Sequence, residues 1–283
     1  MLILQTHVFD CDRTNPWGVG PPHYNLEYMQ DRYVGDVGDY AKYGLLRALA
    51  GADLRLGIVW WLKAEPDSNV DGRFLEYLDP AHKKRLHLCD PELHELLRAV
   101  VLEKHQRSVA AIADAGVLPA GTVFCTDAVP TSVKDREEWN RAALAATAGA
   151  DLVFHDPDNG LALSIPGGRR GPKCVTPEEL RPYLDRGHSV IVYHHQTREA
   201  PLSQQVAKWF GVLQQLPAAE LWALSFHRSS VRTFFVLAAE DHRDVLRQRT
   251  DAFMRSAWGA GRSPHFRLHP PAGSMLRPSR SKF

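Results

Sequence analysis

The sequence predicts an α/β protein built on a mostly parallel sheet, and three observations carry that prediction. Short apolar runs alternate with stretches of helical period along most of the chain. The runs are rich in Val, Ile, Phe and Trp, as strands buried on both faces are. The last two runs are joined by a short polar turn, which predicts a terminal antiparallel hairpin.

The elements follow in order. Residues 1–28 contain Pro16, Gly18, Gly20, Pro21 and Pro22 without any period, and predict a flexible arm preceding Met29, a plausible alternative start. A helix is expected from about Asp39 to Ala50, and a buried strand over Leu54 to Leu62. Pro91 to Ala115 reads as one long helix closed by Gly116. Thr122 to Cys125 is a second strand, Glu137 to Ala148 an Ala-rich helix, and Asp151 to His155 a third strand. Thr176 caps a helix from Pro177 to Asp185, with Glu178 and Glu179 in its first turn, and His188 to Tyr193 is the fourth strand. Leu202 to Leu216 is an amphipathic helix, Glu220 to His227 and Thr233 to Ala239 form the hairpin, and Asp241 to Trp258 is the last helix. The single domain thus spans 29–258. Residues 259–283, rich in Pro, Gly and Ser and basic, are expected to be a flexible tail.

Composition narrows the class. The 283 residues are 44% hydrophobic, which suits a globular core, and 34 Lys and Arg against 33 Asp and Glu leave a net charge of +1. No global field draws the chain to nucleic acid, so any such contact needs a local patch. The four cysteines, Cys11, Cys89, Cys125 and Cys174, show no C-x-x-C pair. That argues against a disulfide framework and a zinc knuckle. With no apolar run of membrane length and no apolar block near the N-terminus, a cytoplasmic protein without a membrane association is expected.

Four motifs bear candidate chemistry. Gly35-Asp36-Val37-Gly38-Asp39-Tyr40-Ala41-Lys42 sets two carboxylates at a helix entrance and a lysine one turn in; its plain reading is that Asp39 caps the helix and Lys42 is a solvated partner. His155-Asp156-Pro157-Asp158-Asn159-Gly160 ends an apolar strand, where open α/β sheets place their crevice, although Pro, Asn and Gly also suit a simple turn. His194 and His195 end the next apolar strand, so Asp156 and His194 are expected in one crevice; a structural histidine pair is the alternative. Asp127 follows the strand Thr122 to Cys125 and, in a nucleotide-type crevice, an acid there accepts from an adenine amino group. Gly167 to Lys173 is a basic loop suited to phosphate or solvent.

With those residues in view, the chain resembles the 23S ribosomal RNA adenine-N6 methyltransferases. Gly35-x-x-Gly38-Asp39-x-x-Lys42 is similar to that family's N-terminal G-x-x-A-D-x-x-K element, Asp127 stands at its adenine-binding acid, and Asp156-Pro157 at its D-P-P-Y. The resemblance, over about Tyr33 to Arg267, implies a Rossmann-like methyltransferase sheet and S-adenosylmethionine as cofactor. It implies Gly35, Asp39, Lys42, Asp127 and Asp156 as cofactor contacts. The chain differs from the pattern in having Val59-Trp60-Trp61-Leu62-Lys63 where the family has a Gly-rich turn, and Asp158-Asn159 in place of Pro-Tyr. It also resembles bacterial proteins of unassigned function that share Y-V-G-D-x-G-D-x-x-K-Y-G-L-L-R and D-P-D-N-G.

Three functions follow as expectations. The first is methyl transfer to a nitrogen of a nucleic acid or small substrate, with Asp156, Asp158, Asn159 and His194 as catalytic residues. The second is a phosphodiesterase or other hydrolase dependent on a divalent metal held among Asp36, His155, Asp156, Asp158, His194 and His195. The third is a non-catalytic binding module on a degenerate methyltransferase fold.

Overall fold

The computed structural model describes residues 34–63, 74–79, 81 and 86–270. The expected arm, 1–28, lies outside the described residues. Helix α1 (Val37–Ala50) leads into β1 (Leu56–Trp60); α2 (Pro91–Arg98) and α3 (Val109–Asp114) precede β2 (Val123–Cys125). Then come α4 (Val133–Ala146), β3 (Leu152–Asp156), the two-residue strands β4 (Gly160–Leu161) and β5 (Cys174–Val175), α5 (Pro177–Leu184) and β6 (Ser189–His195). Helix α6 (Leu202–Leu213), the hairpin β7 (Glu220–Arg228) and β8 (Ser230–Ala238), α7 (Arg243–Arg255) and β9 (Phe266–His269) complete the chain.

Seven strands form one sheet in the order β2-β1-β3-β6-β8-β7-β9, and β4 pairs with β5 separately. The first four are mutually parallel, whereas β8, β7 and β9 join by antiparallel pairing. The fold is therefore α/β with a mostly parallel sheet and the expected antiparallel hairpin. Successive side chains of a strand point to opposite faces, and the sheet uses this to build two cores. Leu56, Ile58, Leu152, Phe154 and Ile191 face α1 and α7; Val59, Val153, Val190 and Val192 face α4, α5 and α6. Ile58, Phe154 and Ile191 are wholly buried, so truncating any of them to Ala costs about 2–5 kcal/mol.

Several sequence expectations change. Helix α1 begins at Val37, two residues before Asp39, because Asp36 is the N-cap and its Oδ1 accepts from the backbone N–H of Gly38 at 2.7 Å and of Asp39 at 2.9 Å. The long helix expected over Pro91 to Ala115 is two helices. A π-helical turn, Ala99–Glu103, follows α2, the backbone turns left-handed at His105, and Ser108 caps α3. Helix α4 starts at Val133, four residues before Glu137. The expected flexible tail from Gly259 is cut back, since Phe266–His269 pair with β7 and Phe266 is wholly buried among Phe226, Phe234, Phe253 and Trp258. The sequence signals only Pro and Gly there; the aromatic pocket that orders Phe266 comes from distant elements.

Candidate functional site

Chain order reverses about β1: the chain passes from β1 to β2 on one side and then crosses to β3 on the other. In open α/β sheets the crevice for a ligand lies at such a reversal, beyond the carboxyl ends of the strands. Trp60 ends β1 there, Asp156 ends β3 beside it, and the entrance of α1 covers both.

Lysine 42 ties this corner together. Its Nζ donates to Asp39 Oδ1 at 2.8 Å and to Asp156 Oδ2 at 2.6 Å. The ammonium also lies 5.4 Å from the ring centre of Trp60 and 5.8 Å from that of Tyr43. Asp36, Asp39, Lys42 and Asp156 are all buried. Burial alone pulls the lysine down, but Asp156 and Asp39 outweigh it and hold the ammonium above its ordinary range. The Asp156 carboxyl is pushed up by burial, against the pull of Lys42. That of Asp36 is pushed up by burial and then by Asp39.

The other oxygens are distributed unequally. Asp39 Oδ2 accepts from the Gly35 N–H and from the Tyr43 hydroxyl, both at 3.2 Å. Asp36 Oδ2 faces the Arg232 guanidinium at 3.6 Å, beyond hydrogen-bond distance. Asp156 Oδ1 accepts no hydrogen bond among the described residues, and the buried Trp60 Nε1 has no acceptor there. Among the described residues three carboxylates thus meet two cations, and one acceptor oxygen at the sheet reversal is left open.

Two glycines explain how the corner closes. A Cβ on Gly38 would lie 2.6 Å from the Arg232 guanidinium carbon, so the glycine lets Arg232 of β8 rest on the first turn of α1. Gly35 adopts φ +77° and a Cβ there would meet Val101 Cγ2 at 2.4 Å. Val101 belongs to the π-helical turn. Both glycines serve close packing of this chain's own side chains.

The remaining sequence candidates lie elsewhere. His155 points to the opposite face of the sheet from Asp156, its neighbour on β3. Its Nδ1 accepts from Trp61 Nε1–H at 3.3 Å, and burial lowers the imidazole to about 3. His194 also faces that side, with the Leu161 N–H and the Trp209 Nε1–H each 3.1 Å from one of its ring nitrogens. A neutral imidazole accepts at only one nitrogen, so one contact is a hydrogen bond and the other a close approach. Burial lowers His194 to about 4. Asp156 and His194 end neighbouring strands at one sheet edge, but the side chains do not share a crevice. His195 returns to the Asp156 face, with Nδ1 3.1 Å from the Tyr193 hydroxyl.

Asp158 lies 4.0 Å from Lys173, and the exposed Asn159 donates its backbone N–H to the Lys173 carbonyl at 2.8 Å. The D-P-D-N-G segment is therefore held as a turn against the basic loop. Gly160 is essential to it: at φ +87°, a Cβ would fall 2.5 Å from His194 Cα. Asp127 is exposed past β2, and its backbone carbonyl accepts from Trp139 Nε1 at 3.0 Å. The six candidate metal ligands are thus divided between two faces of the sheet. Among the described residues no three His, Cys, Asp or Glu are placed to hold an ion.

Sequence reasoning missed Arg232 and Arg136. Arg136, 1% exposed, donates to Glu179, to the Gly171 carbonyl at 2.6 Å and to the Cys174 carbonyl at 2.5 Å, and stacks on Trp61 at 4.8 Å. It locks the basic loop to α4, α5 and the end of β1. Glycine 38 signalled a close approach, but nothing in the sequence named Arg232 as the neighbour. For Arg136, in the charged run Val133 to Glu138, there was no signal.

A scan against protein-family models gives no match, and a search of the curated proteins gives none. Among the described residues no helix is long and apolar enough to cross a membrane.

Proposed function

We propose that the chain is a binding module on a sheet of methyltransferase type, and that the corner at the ends of β1 and β3 receives an amino group of a nucleobase or small amine. The observation that carries this is Asp156, which has one oxygen anchored by Lys42 and the other open. An ionised carboxylate only accepts, and an amine supplies the N–H it lacks. The excess of carboxylates over cations favours a donor-rich or cationic group over an anion. The unpartnered Trp60 N–H supplies a donor for an acceptor atom beside that amine.

The residues do not fit S-adenosylmethionine. Val101 packs against Gly35, one of the positions implied for it, and Arg232 against the neighbouring Gly38. The charge of Lys42 is balanced by two carboxylates, and Trp60, Trp61, Leu62 and Lys63 are all buried where a backbone approach is needed. A methyl-transfer reading is favoured by one observation, the strand order with its reversal at β1 and its antiparallel insertion of β8 between β6 and β7.

Calorimetric titration decides between them. Adenosine is expected to bind, inosine to bind at least about tenfold more weakly, and Asp156→Asn to erase that difference, since a missing hydrogen bond to a buried charged group costs about 1.5–3 kcal/mol. Equal binding of both nucleosides, or of neither at millimolar concentration, refutes the amine reading. Binding of S-adenosylmethionine that Lys42→Ala weakens restores methyl transfer.

A further inference from the structure

A second polar cluster lies well away from this corner, at the β7–β9 edge of the sheet. Ser225 of β7 is wholly buried, and its Oγ lies 2.7 Å from His227 Nε2 and 2.6 Å from His269 Nε2. The three side chains form a row on one face: Ser225 and His227 are two apart on β7, and His269 of β9 stands opposite Ala223. Arg267 stands opposite Ser225 on the same face, is exposed, and has no carboxylate partner among the described residues.

His269 also lies on the wall of a groove of about 650 Å³ between α6, the start of β7 and the end of β9. That volume falls within the roughly 300–1,000 Å³ of small-molecule sites. Val206, Phe210, Leu213 and Leu221 make its wall apolar. The carboxylate on the lining, Glu220, is paired with Arg247 at 3.0 Å. The groove therefore reaches His269, which Ser225 links to His227, with Arg267 two residues before His269 on the same face of β9.

We propose that groove and row together bind an amphiphilic carboxylate, its chain along α6 and its head group between His269 and Arg267. Charge complementarity selects the sign: among the described residues the cation facing the row is Arg267, and the near carboxylate, Glu220, already has a partner. Burial first, and then Arg267, hold the His227 and His269 imidazoles below their ordinary range. An anionic head group counters the second cause, so both imidazoles take up protons more readily once it is bound. The buried Ser225 orients the two rings by hydrogen bonding and takes part in no reaction.

The test is a titration of the full chain with octanoate, 1-octanol and 1-octylamine, read by backbone and histidine nitrogen NMR. Octanoate is expected to shift Leu268, His269 and α6, to bind at least fivefold more tightly than octanol, and to raise the titration midpoint of His269. Arg267→Gln, an exposed change, is expected to abolish the preference for octanoate while leaving the melting temperature of the free protein unchanged. Equal binding of octanoate and octanol, tighter binding of octylamine, or no shift at millimolar octanoate overturns the proposal.

Discussion

Lys42 Nζ lies 2.6 Å from Asp156 Oδ2, joining the first helix to the third strand across 114 residues of sequence. The pair is buried, and each partner makes the other's charge tolerable. Removing one member leaves a charge without compensation, which generally costs more than the intact pair contributes.

Lys42→Met keeps the length of the side chain and removes its charge. The expected loss is about 3–5 kcal/mol of unfolding free energy, measured by urea denaturation at pH 7. A loss below about 1 kcal/mol would show that water reaches Asp39 and Asp156 readily.

The two close glycine contacts differ in what must yield. A methyl group on Gly38 meets the end of a long arginine, and Gly38→Ala is expected to be rescued in part by a second change, Arg232→Ala, in a double-mutant cycle. A methyl group on Gly160 meets the His194 backbone in a left-handed conformation, so Gly160→Ala is expected to be the more damaging of the two, with no rescue from a side-chain truncation. Equal losses in urea melts would contradict this ordering.

Stability should fall on mild acidification. An unfolded imidazole titrates near 6.5, whereas burial holds folded His155 at about 3 and His194 at about 4. Below about pH 6.5 the unfolded chain binds more protons than the fold. The contribution of these residues is present in full above that pH and is lost as the pH drops towards 4, by about 1.4 kcal/mol per unit for each. Asp36 and Asp156, raised by burial, act in the opposite sense. Comparing the wild type with His194→Gln between pH 7 and 5 isolates one histidine, and parallel curves would refute the assignment.

Arg136→Lys preserves charge but not the planar fork that reaches Glu179, Gly171 and Cys174 together. The expected cost is about 3–5 kcal/mol, with faster amide exchange at Asn159 and Ala162, whose N–H groups bond to Lys173 and Val175. Unchanged exchange at those two amides would sever the link between Arg136 and the D-P-D-N-G turn.

The legible parts of the chain are those whose physics is local. The period of Leu45, Leu46 and Leu49 marked α1, the apolar stretch through Ile58 marked β1, and Thr176 with Glu179 marked the start of α5, where the Glu179 carboxylate accepts from the Thr176 N–H. The break after α2 escaped because the apolar period continues through Val100 and Val101 while His105 and Ser108 interrupt the backbone. Strand β9 escaped because four residues carry too little period to stand out.

By itself, then, the sequence determined the α/β alternation, the hairpin, and the position of Asp36, Asp39, Lys42, Asp156 and His194 at element ends, because periodicity and turn chemistry act over a few residues. Only the tertiary structure decided which of them meet. Strand residues alternate between faces, so the sheet sends Asp156 to Lys42 but His155 to Trp61, and His194 away to Trp209. Only the packing of distant elements seated Arg232 against Gly38 and Val101 against Gly35, because such contacts depend on the sheet order and on where each helix crosses it.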